Sequence, residues 1–185
     1  MSAPRSKPAV RRQDVIGWRE AVAMPQLRIA NVEAKIDTGA RTSALHAEDQ
    51  EVFERDGARW VRFRVPASKC HRDIRIEAPV SDERPIKNTG GVPEMRLVIE
   101  TLLVLGRHHW HVEVSLANRA NMGFDLILGR TAIRGRNVLV NPGRSYLAGN
   151  PQLGEHELMV FDDAGHAPAK RPAKQNTDFP EGESL

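Results

Sequence analysis

The residues best suited to chemistry are the tripeptide Asp37-Thr38-Gly39, which lies between two apolar runs. Asp37 would be presented at the end of a strand, where Gly39 permits a tight turn and a close backbone approach that a Cβ would block. Thr38 supplies a hydroxyl that can brace a neighbouring loop. A carboxylate placed in this way could act as a general acid or base. Taken alone, the tripeptide is more typical of a capping turn.

A second segment, residues 124–133, contains a buried apolar run, then a glycine, then a short helical stretch. Together the two segments resemble the retropepsin-like aspartic peptidases. In that superfamily an Asp-Thr-Gly-Ala loop carries the catalytic carboxylate, and two apolar residues and a glycine pack beside it. The resemblance implies that Asp37 is the catalytic residue. The active-site loop and its support would be formed by Thr38, Gly39, Ala40, Ile127, Leu128, Gly129 and Arg130.

A closer resemblance extends over residues 16–147. Segments 34–47, 118–119, 121–125 and 128–133 look like a bacterial family labelled as ATP-dependent zinc proteases. Its members are regarded as retropepsin-like. Some are associated with an ATP-grasp ligase that adds glutamates to the C-terminus of a ribosomal protein. The resemblance therefore implies a peptidase that trims an acidic or polyglutamate tail, with a glutamate ligase or a ribosomal protein as a further partner.

The zinc and ATP part of that label finds no support in the residues. The sequence contains no Gly-x-x-x-x-Gly-Lys-[Ser/Thr] phosphate loop, and the pair His156-Glu157 is followed by Val160 where a zinc site needs its second histidine. In a strand, only His109 and His111 of the histidine cluster would share a face, and they lack a third ligand. We therefore expect no metal and no cofactor.

The presence of one Asp-Thr-Gly per chain predicts a homodimer. Aspartic peptidase chemistry needs two carboxylates that share one proton, so two chains must each supply Asp37. The interface would be isologous, with the two carboxylates facing each other across a two-fold axis. Thr38 would then brace the opposite loop.

Composition and periodicity predict the elements that must hold this loop. The chain has 185 residues, 40% of them hydrophobic, and a lone Cys70, which fits one soluble domain without a disulfide framework. Short runs rich in Val, Ile, Phe and Trp recur between turn residues, so the fold class is mainly β. With the resemblance, we expect a retropepsin-like (acid protease) β-barrel, one lobe per chain. Strands are predicted at 17–23, 28–36, 43–47, 51–54, 59–65, 73–79, 95–104, 109–116, 125–128 and 137–140, and a short helix at 130–134.

The two ends of the chain differ in charge from the middle. Up to Asn150 the net charge is +7, whereas from Pro151 to Leu185 it is −4. We predict a flexible basic arm at 1–14, a retropepsin-like domain at 15–148 and a disordered acidic tail at 149–185. No segment has the apolar length of a membrane span or the character of a signal peptide, so a cytoplasmic location without a membrane partner is expected.

Basic residues near the loop and in the region 55–75 suggest that the substrate is acidic. Taken singly, each of them fits the solvent-facing side of a strand at least as well, so the prediction requires that they converge around the cleft. The candidate substrate-binding residues are Lys35, Arg41, Arg62, Arg64, Arg72 and Arg96. The glycine-bearing stretch 85–93 is the candidate for a flap that closes over substrate, and an ordinary β-hairpin connection is the alternative. The flap residues would be Lys87, Asn88, Thr89, Gly90 and Gly91, with the turn Asp56-Gly57 as a rival tip.

Two other functions stay open from sequence. The chain could be a non-catalytic dimeric module that binds an acidic peptide or a ligase partner. Ion pairing of Asp37 with Lys35 or Arg41 would favour that module, because a firmly paired carboxylate is a poor proton shuttle. A role on nucleic acid, through the arm and the basic region 55–75, is less favoured because aromatic residues there are few.

Overall fold

The computed structural model describes residues 13–87, 90–155 and 157. Within them the chain is almost entirely β, with one 3-10 turn at Pro25–Leu27. The remaining elements are β1 (Asp14–Gly17), β2 (Arg19–Met24), β3 (Ile29–Asp37), β4 (Ser43–His46), β5 (Glu48–Arg55), β6 (Ala58–Val65), β7 (Ile74–Pro79), β8 (Asp82–Lys87), β9 (Pro93–Leu105), β10 (His108–Ala117), β11 (Leu126–Gly129), α1 (Arg130–Ile133) and β12 (Val138–Asn141).

Six strands close into a mixed barrel. Their order is β10-β4-β11-β3-β2-β9, and β9 pairs with β10 to complete the closure. β11 runs parallel to β3 and β10 runs parallel to β4, while the other neighbours in the barrel are antiparallel. β8 adds to the free part of β9, and β5, β6 and β7 form a separate three-stranded sheet. The expected mainly β barrel is confirmed.

The core fills the barrel and continues under the three-stranded sheet. β10 shows the alternation that builds it, because Trp110, Val112 and Val114 are buried while the residues between them are exposed. Phe63 of β6 is also buried and belongs to the same hydrophobic cluster. Full burial of each large apolar side chain contributes about 1.5–3 kcal/mol. This continuous core gives the loops at the barrel edge a rigid base.

Two strands are absent from the sequence prediction. β8 carries the charged run Asp82-Glu83-Arg84 and Pro85, and it forms because the long β9 offers an edge, where proline is tolerated. β1 pairs with β12 and begins at Asp14, which the sequence assigns to the basic arm. Both strands are set by pairing partners, and neither has a strong apolar pattern of its own.

The predicted turns agree with the structure. The hairpin between β9 and β10 turns at Gly106, and Asp56 and Gly57 both have positive φ in the two-residue turn between β5 and β6.

Of the predicted tail, residues 149–155 and 157 are described. The backbone N of Gln152 donates to the carbonyl of Gly106 at 2.8 Å. The predicted arm lies almost wholly outside the described residues.

Candidate active site

Asp37 ends β3 and lies opposite Gly129, which ends β11. The two strands are parallel, and Ile36 pairs with Leu128 one step earlier. Ends of neighbouring parallel strands lie at the same edge of a sheet. Two motifs that are far apart in the sequence therefore meet at one edge of the barrel.

The Asp37 carboxylate is held by its own loop and by Lys35. Its Oδ1 accepts hydrogen bonds from the backbone N–H groups of Gly39 at 3.1 Å and Ala40 at 3.0 Å, and its Oδ2 lies 3.2 Å from Lys35 Nζ. Burial raises the pKa of Asp37, but the bonds from Ala40, Lys35 and Gly39 together hold that pKa below its usual value. In a single chain the carboxylate is therefore ionised at neutral pH.

Arg130, the first residue of α1, fixes the active-site loop from outside. Its Nη1 donates to the carbonyl oxygens of Thr38 at 2.8 Å and Gly39 at 3.0 Å. Its backbone N donates to the carbonyl of Ala40 at 2.9 Å. Three successive carbonyls of the loop are thus satisfied by one residue. A loop held in this way keeps the carboxylate in one geometry, as a catalytic group requires.

Gly129 allows β11 to approach the outgoing side of the loop. A Cβ on Gly129 would stand 2.6 Å from the backbone carbon and oxygen of Thr42. At that distance the atoms would overlap, so the backbone of one of the two segments would have to move. The Gly129 N donates to Ser43 Oγ at 3.2 Å, and Thr131 Oγ1 donates to the Arg41 carbonyl at 2.9 Å. Glycine is required here for close backbone packing, and its φ is not positive.

A cleft of about 600 Å³ opens beside the active-site loop. Its lining comes from the loop, from the strands β4, β8, β9, β10 and β11, and from α1. These residues are Gly39, Ala40, Arg41, Thr42, Ala44, Arg84, Pro85, Ile86, Lys87, Arg96, Glu113, Ile127 and Thr131. The volume suits several side chains of an extended peptide.

The predicted flap is the connection between β8 and β9. Lys87 pairs with Pro93 at its base and lines the cleft. Gly90 and Gly91 belong to this connection, and Gly91 has φ +78°, which a glycine adopts readily. Asn88 and Thr89 lie outside the described residues.

The cleft lining carries more positive than negative charge. Arg84 donates to Asp82 at 2.9 Å and to Glu113 at 2.5 Å. Within the described part of the chain, neither Arg41 nor Lys87 forms an ion pair. A concave wall with uncompensated cations raises the local concentration of anionic ligands.

Three of the predicted substrate-binding arginines, Arg62, Arg64 and Arg72, lie outside the cleft lining. Arg62 and Arg64 belong to β6 of the three-stranded sheet, outside the cleft lining. Arg62 pairs with Glu77 at 2.8 Å and with Glu51 at 3.2 Å. Its charge is therefore already matched by carboxylates of the neighbouring strands.

Arg64 is similarly occupied. It bonds Asp73 at 2.8 Å and Asp49 at 2.9 Å, and it also bonds Glu48. These carboxylates raise the pKa of the Arg64 guanidinium. Arg64 and these three carboxylates therefore form a network of ion pairs on the solvent-facing side of the three-stranded sheet. Arg72 lies in the loop between β6 and β7 and is also outside the cleft lining.

Sequence reasoning missed Arg84 and Glu113, which line the cleft, and gave no role to the buried Arg119. Arg84 belongs to β8, which has no apolar pattern, and Glu113 is one polar residue among several in β10. Arg119 follows β10 and is only 9% exposed, and its Nε donates to the Phe124 carbonyl at 3.1 Å. Residues 118–119 are among the segments that resemble the family, so that resemblance is the sequence signal that could have pointed to Arg119.

Within 13–87, 90–155 and 157, no group of three or more His, Cys, Asp or Glu side chains is arranged to hold a metal ion. His46 pairs with Glu48 at 3.3 Å, and its Nδ1 accepts from the backbone N of Arg119 at 2.9 Å. The histidine thereby joins β4 to the segment after β10.

Over the same described residues, no helix has the length and apolar character to cross a membrane.

A closed mixed barrel, an Asp-Thr-Gly loop at a strand end and an Ile-Leu-Gly strand packed beside it define a retropepsin-like aspartic peptidase lobe. The chain belongs to the RimB-like family, described as retropepsin-like aspartic endopeptidase RimB, whose family model matches residues 15–151. The suspected family is therefore confirmed, and with it membership among aspartic endopeptidases.

Several relatives carry a different name. The chain is 41% identical over 150 residues to a "Probable alpha-L-glutamate ligase" of Parasynechococcus marenigrum, covering 80% of this chain and 32% of that protein. It is 41% identical over 127 residues to a protein of the same name from Desulfotalea psychrophila, covering 68% and 27%. The chain thus spans about a third of the length of these curated relatives.

Among solved structures, the chain is similar to a Legionella pneumophila protein of unknown function. The two are 27% identical with a TM-score of 0.62, covering 73% of this chain and 98% of that one. This similarity supports the fold assignment, and the description of the Legionella protein names no activity.

Proposed function

We propose that the protein cleaves peptide bonds as a homodimer, with Asp37 from each chain forming a catalytic pair. The observation that carries this proposal is the Asp37 carboxylate, which two loop amides bind on one oxygen at the barrel edge. Thr38 and Gly39 beside it are exposed, which leaves the loop accessible to a second copy. One carboxylate alone lacks the acid needed to protonate the carbonyl while it acts as base.

In the proposed reaction the paired carboxylates share one proton. The ionised Asp37 takes a proton from water, whose oxygen bonds to the scissile carbonyl carbon while the protonated Asp37 of the second copy donates its proton to the carbonyl oxygen. The resulting diol collapses when the first Asp37 gives its proton to the leaving nitrogen, the C–N bond breaks, and the second Asp37 takes a proton back from a diol hydroxyl. The two groups would titrate as one coupled pair.

The surface proposed for the dimer is the two-stranded ribbon of β1 and β12. Val15 and Leu139 are register partners, 46% and 50% exposed respectively, so they form one apolar spot. The ribbon pairs with no other strand among the described residues, which leaves backbone donors and acceptors for a second copy.

We further propose an acidic peptide or protein tail as the substrate. Arg41, Lys87 and Arg96 line the cleft, and the first two form no ion pair within the described residues. The relatives named as glutamate ligases support an association with such a ligase, which would produce glutamate-rich chain ends in the cytoplasm. A ribosomal protein would be a candidate carrier of that end.

The decisive experiment is cleavage of a peptide that ends in a run of glutamates, followed by mass spectrometry between about pH 4 and 8. We expect cleavage by the native chain, none by Asp37→Asn, and no effect of a metal chelator. Cleavage that persists in Asp37→Asn would reject the proposed catalytic residue.

One observation favours a second function, the non-catalytic binding module. Lys35 pairs with Asp37, and a carboxylate held by a cation gives up and takes protons less readily. In that case the chain would bind the glutamate peptide tightly, with or without Asp37, and release no fragment.

A further inference from the structure

One ion pair joins two walls of the cleft, the edge strand β8 and the barrel strand β10. Arg84 of β8 donates through Nη2 to Glu113 Oε2 of β10 at 2.5 Å, and both residues line the cleft. β9 lies between the two strands and pairs with each of them. The contact therefore reaches over β9 and connects the strand that leads to the candidate flap with the barrel.

The strand register explains how the two side chains meet. Arg84 lies opposite Arg96 on β9, and Glu113 lies opposite Glu100, four positions further along the same strand. Side chains an even number of positions apart on a strand point to the same face, and directly opposed residues share that face. Because Arg96 also lines the cleft, this face is the one that carries it.

Glu113 is an unusual residue in a cleft with this charge. Of the described residues that line the cleft it is the only carboxylate, against the cations Arg41, Arg84, Lys87 and Arg96. The Glu113 side chain is 50% exposed and that of Arg84 is 34% exposed. Ion pairs between exposed side chains are weak, so another carboxylate in the cleft can replace Glu113 on Arg84.

Asp82 holds Arg84 in place independently of Glu113. Its Oδ2 accepts from Arg84 Nη1 at 2.9 Å, and Asp82 lies two positions earlier on β8, outside the cleft lining. One nitrogen of the guanidinium is therefore fixed by its own strand, and the other, Nη2, is directed to a carboxylate in the cleft. Arginine suits this double role because its donors form a rigid planar fork.

We infer that Glu113 is an internal competitor for the carboxylate of an acidic substrate, and that Arg84 binds this carboxylate once Glu113 is displaced. The inference rests on the proposed binding of acidic peptides in the cleft. Glu113 takes the charged donor that a substrate carboxylate would use. A neutral peptide cannot replace the ion pair that it breaks, so the exchange favours acidic peptides. Arg84 and Glu113 are thus a specificity-determining pair.

A purely structural ion pair would act in the opposite direction. If the contact only fastened β8 to the barrel, loss of Glu113 would loosen the cleft and weaken the binding of every peptide. A competitor, once removed, instead strengthens the binding of acidic peptides alone. The variant Glu113→Asp separates competition from net charge, because it keeps the negative charge but shortens the side chain that reaches Arg84.

The test measures binding of labelled oligoglutamate and oligoglutamine by fluorescence anisotropy, in a parent chain of full length that carries Asp37→Asn so that nothing is cleaved. The variants are Glu113→Gln, Glu113→Asp and Arg84→Gln. Glu51→Gln is the matched control, because it removes an exposed carboxylate that pairs with Arg62 outside the cleft lining. Oligoglutamate with an amidated end shows whether the bound carboxylate is a side chain or the end of the peptide.

We expect Glu113→Gln to bind oligoglutamate about tenfold more tightly and Arg84→Gln to bind it about tenfold more weakly than the parent chain. Glu113→Asp should also bind it more tightly. Oligoglutamine affinity, and both affinities in Glu51→Gln, should not change. An oligoglutamate affinity that is unchanged or lower in Glu113→Gln, or an equal gain for both peptides, overturns the inference. A gain that Glu113→Asp does not share assigns the effect to net charge and overturns it too.

The failure of this inference is distinguishable from the failure of the proposed function. Because binding is read without cleavage, a native chain that cleaves nothing refutes only the peptidase. A parent chain that prefers oligoglutamate but does not respond to the Glu113 variants refutes only the competitor. No preference for oligoglutamate, either in the parent chain or in Glu113→Gln, refutes the acidic substrate and the competitor together. If Arg84→Gln does not fold, the two Glu113 variants still decide.

Discussion

Lys35 Nζ lies 3.2 Å from Asp37 Oδ2, and the two residues share one face of β3 because they are two positions apart. The contact places a cation against the candidate catalytic carboxylate before any substrate is present. It stabilises the ionised form of Asp37 and opposes the shared proton that a catalytic pair needs. An acidic substrate that competes for Lys35 would relieve that opposition.

Replacing Lys35 with methionine should move the pH profile of cleavage to higher pH. Lys35 lowers the pKa of Asp37, so its loss raises that pKa, and both limbs of the bell-shaped profile shift upward with it. The measurement is kcat/KM for a glutamate-ended peptide as a function of pH. Lys35→Arg should keep the native profile.

The control for Lys35 is Lys69→Met, which removes an exposed lysine from the loop between β6 and β7. It should leave the pH optimum where it is. An optimum in Lys35→Met that is unchanged, or lower, would show that the ion pair does not govern the titration of the site.

Arg130→Lys should lower kcat with little change in stability. A lysine ammonium cannot reproduce the guanidinium that bridges the carbonyl groups of Thr38 and Gly39, so the loop gains freedom. A loss of about tenfold or more in kcat is expected. Arg134→Lys, at the exposed end of the same helix, is the matched variant and should retain native kcat.

Gly129→Ala should destabilise the fold and abolish activity together. Its Cβ would stand 2.6 Å from the Thr42 backbone, and over-packing of this kind costs about 1–3 kcal/mol. Urea unfolding measures the loss. Gly123→Ala has no atom within 4 Å of the added Cβ and should be nearly neutral. Equal stability of the two variants would argue against the close packing of β11.

Glu20 is a buried carboxylate that joins the end of the domain to the barrel. Its Oε1 accepts from the backbone N atoms of Gly17 at 2.5 Å, Leu147 at 2.8 Å and Ala148 at 3.2 Å. Glu20→Ala leaves these donors buried without an acceptor and should cost about 3 kcal/mol or more in the free energy of unfolding. Glu54→Ala, on the exposed side of β5, should change it by less than about 0.5 kcal/mol.

The proposed dimer can be tested at the β1 and β12 ribbon. Val15→Asp and Leu139→Asp place charges on the exposed apolar pair, so sedimentation velocity should show a monomer and cleavage should be lost. Val52→Asp, on the exposed face of β5, should do neither. A native chain that is monomeric yet cleaves the peptide would reject the two-chain site.

The barrel was predictable because its strands alternate or form apolar runs, as β10 does through Trp110, Val112 and Val114. β8 was not, since a charged edge strand has no such pattern and exists only because β9 extends past its other partners. The roles of the basic residues also depended on strand pairing that the sequence does not show. Sequence counted Arg62 and Arg64 with the substrate-binding set, and only the cross-strand register of β5, β6 and β7 revealed their carboxylate partners.

The family could be predicted from local sequence, because the Asp-Thr-Gly loop and the Ile-Leu-Gly strand are short patterns that can be recognised without knowing which distant residues they contact. Which charges meet is settled only in the folded chain. The parallel pairing of β3 with β11 brought Arg130 to the Asp37 loop, and the pairing of β9 with both β8 and β10 brought Arg84 to Glu113. Such contacts depend on strand register and on packing between residues far apart in the chain, which no local pattern encodes.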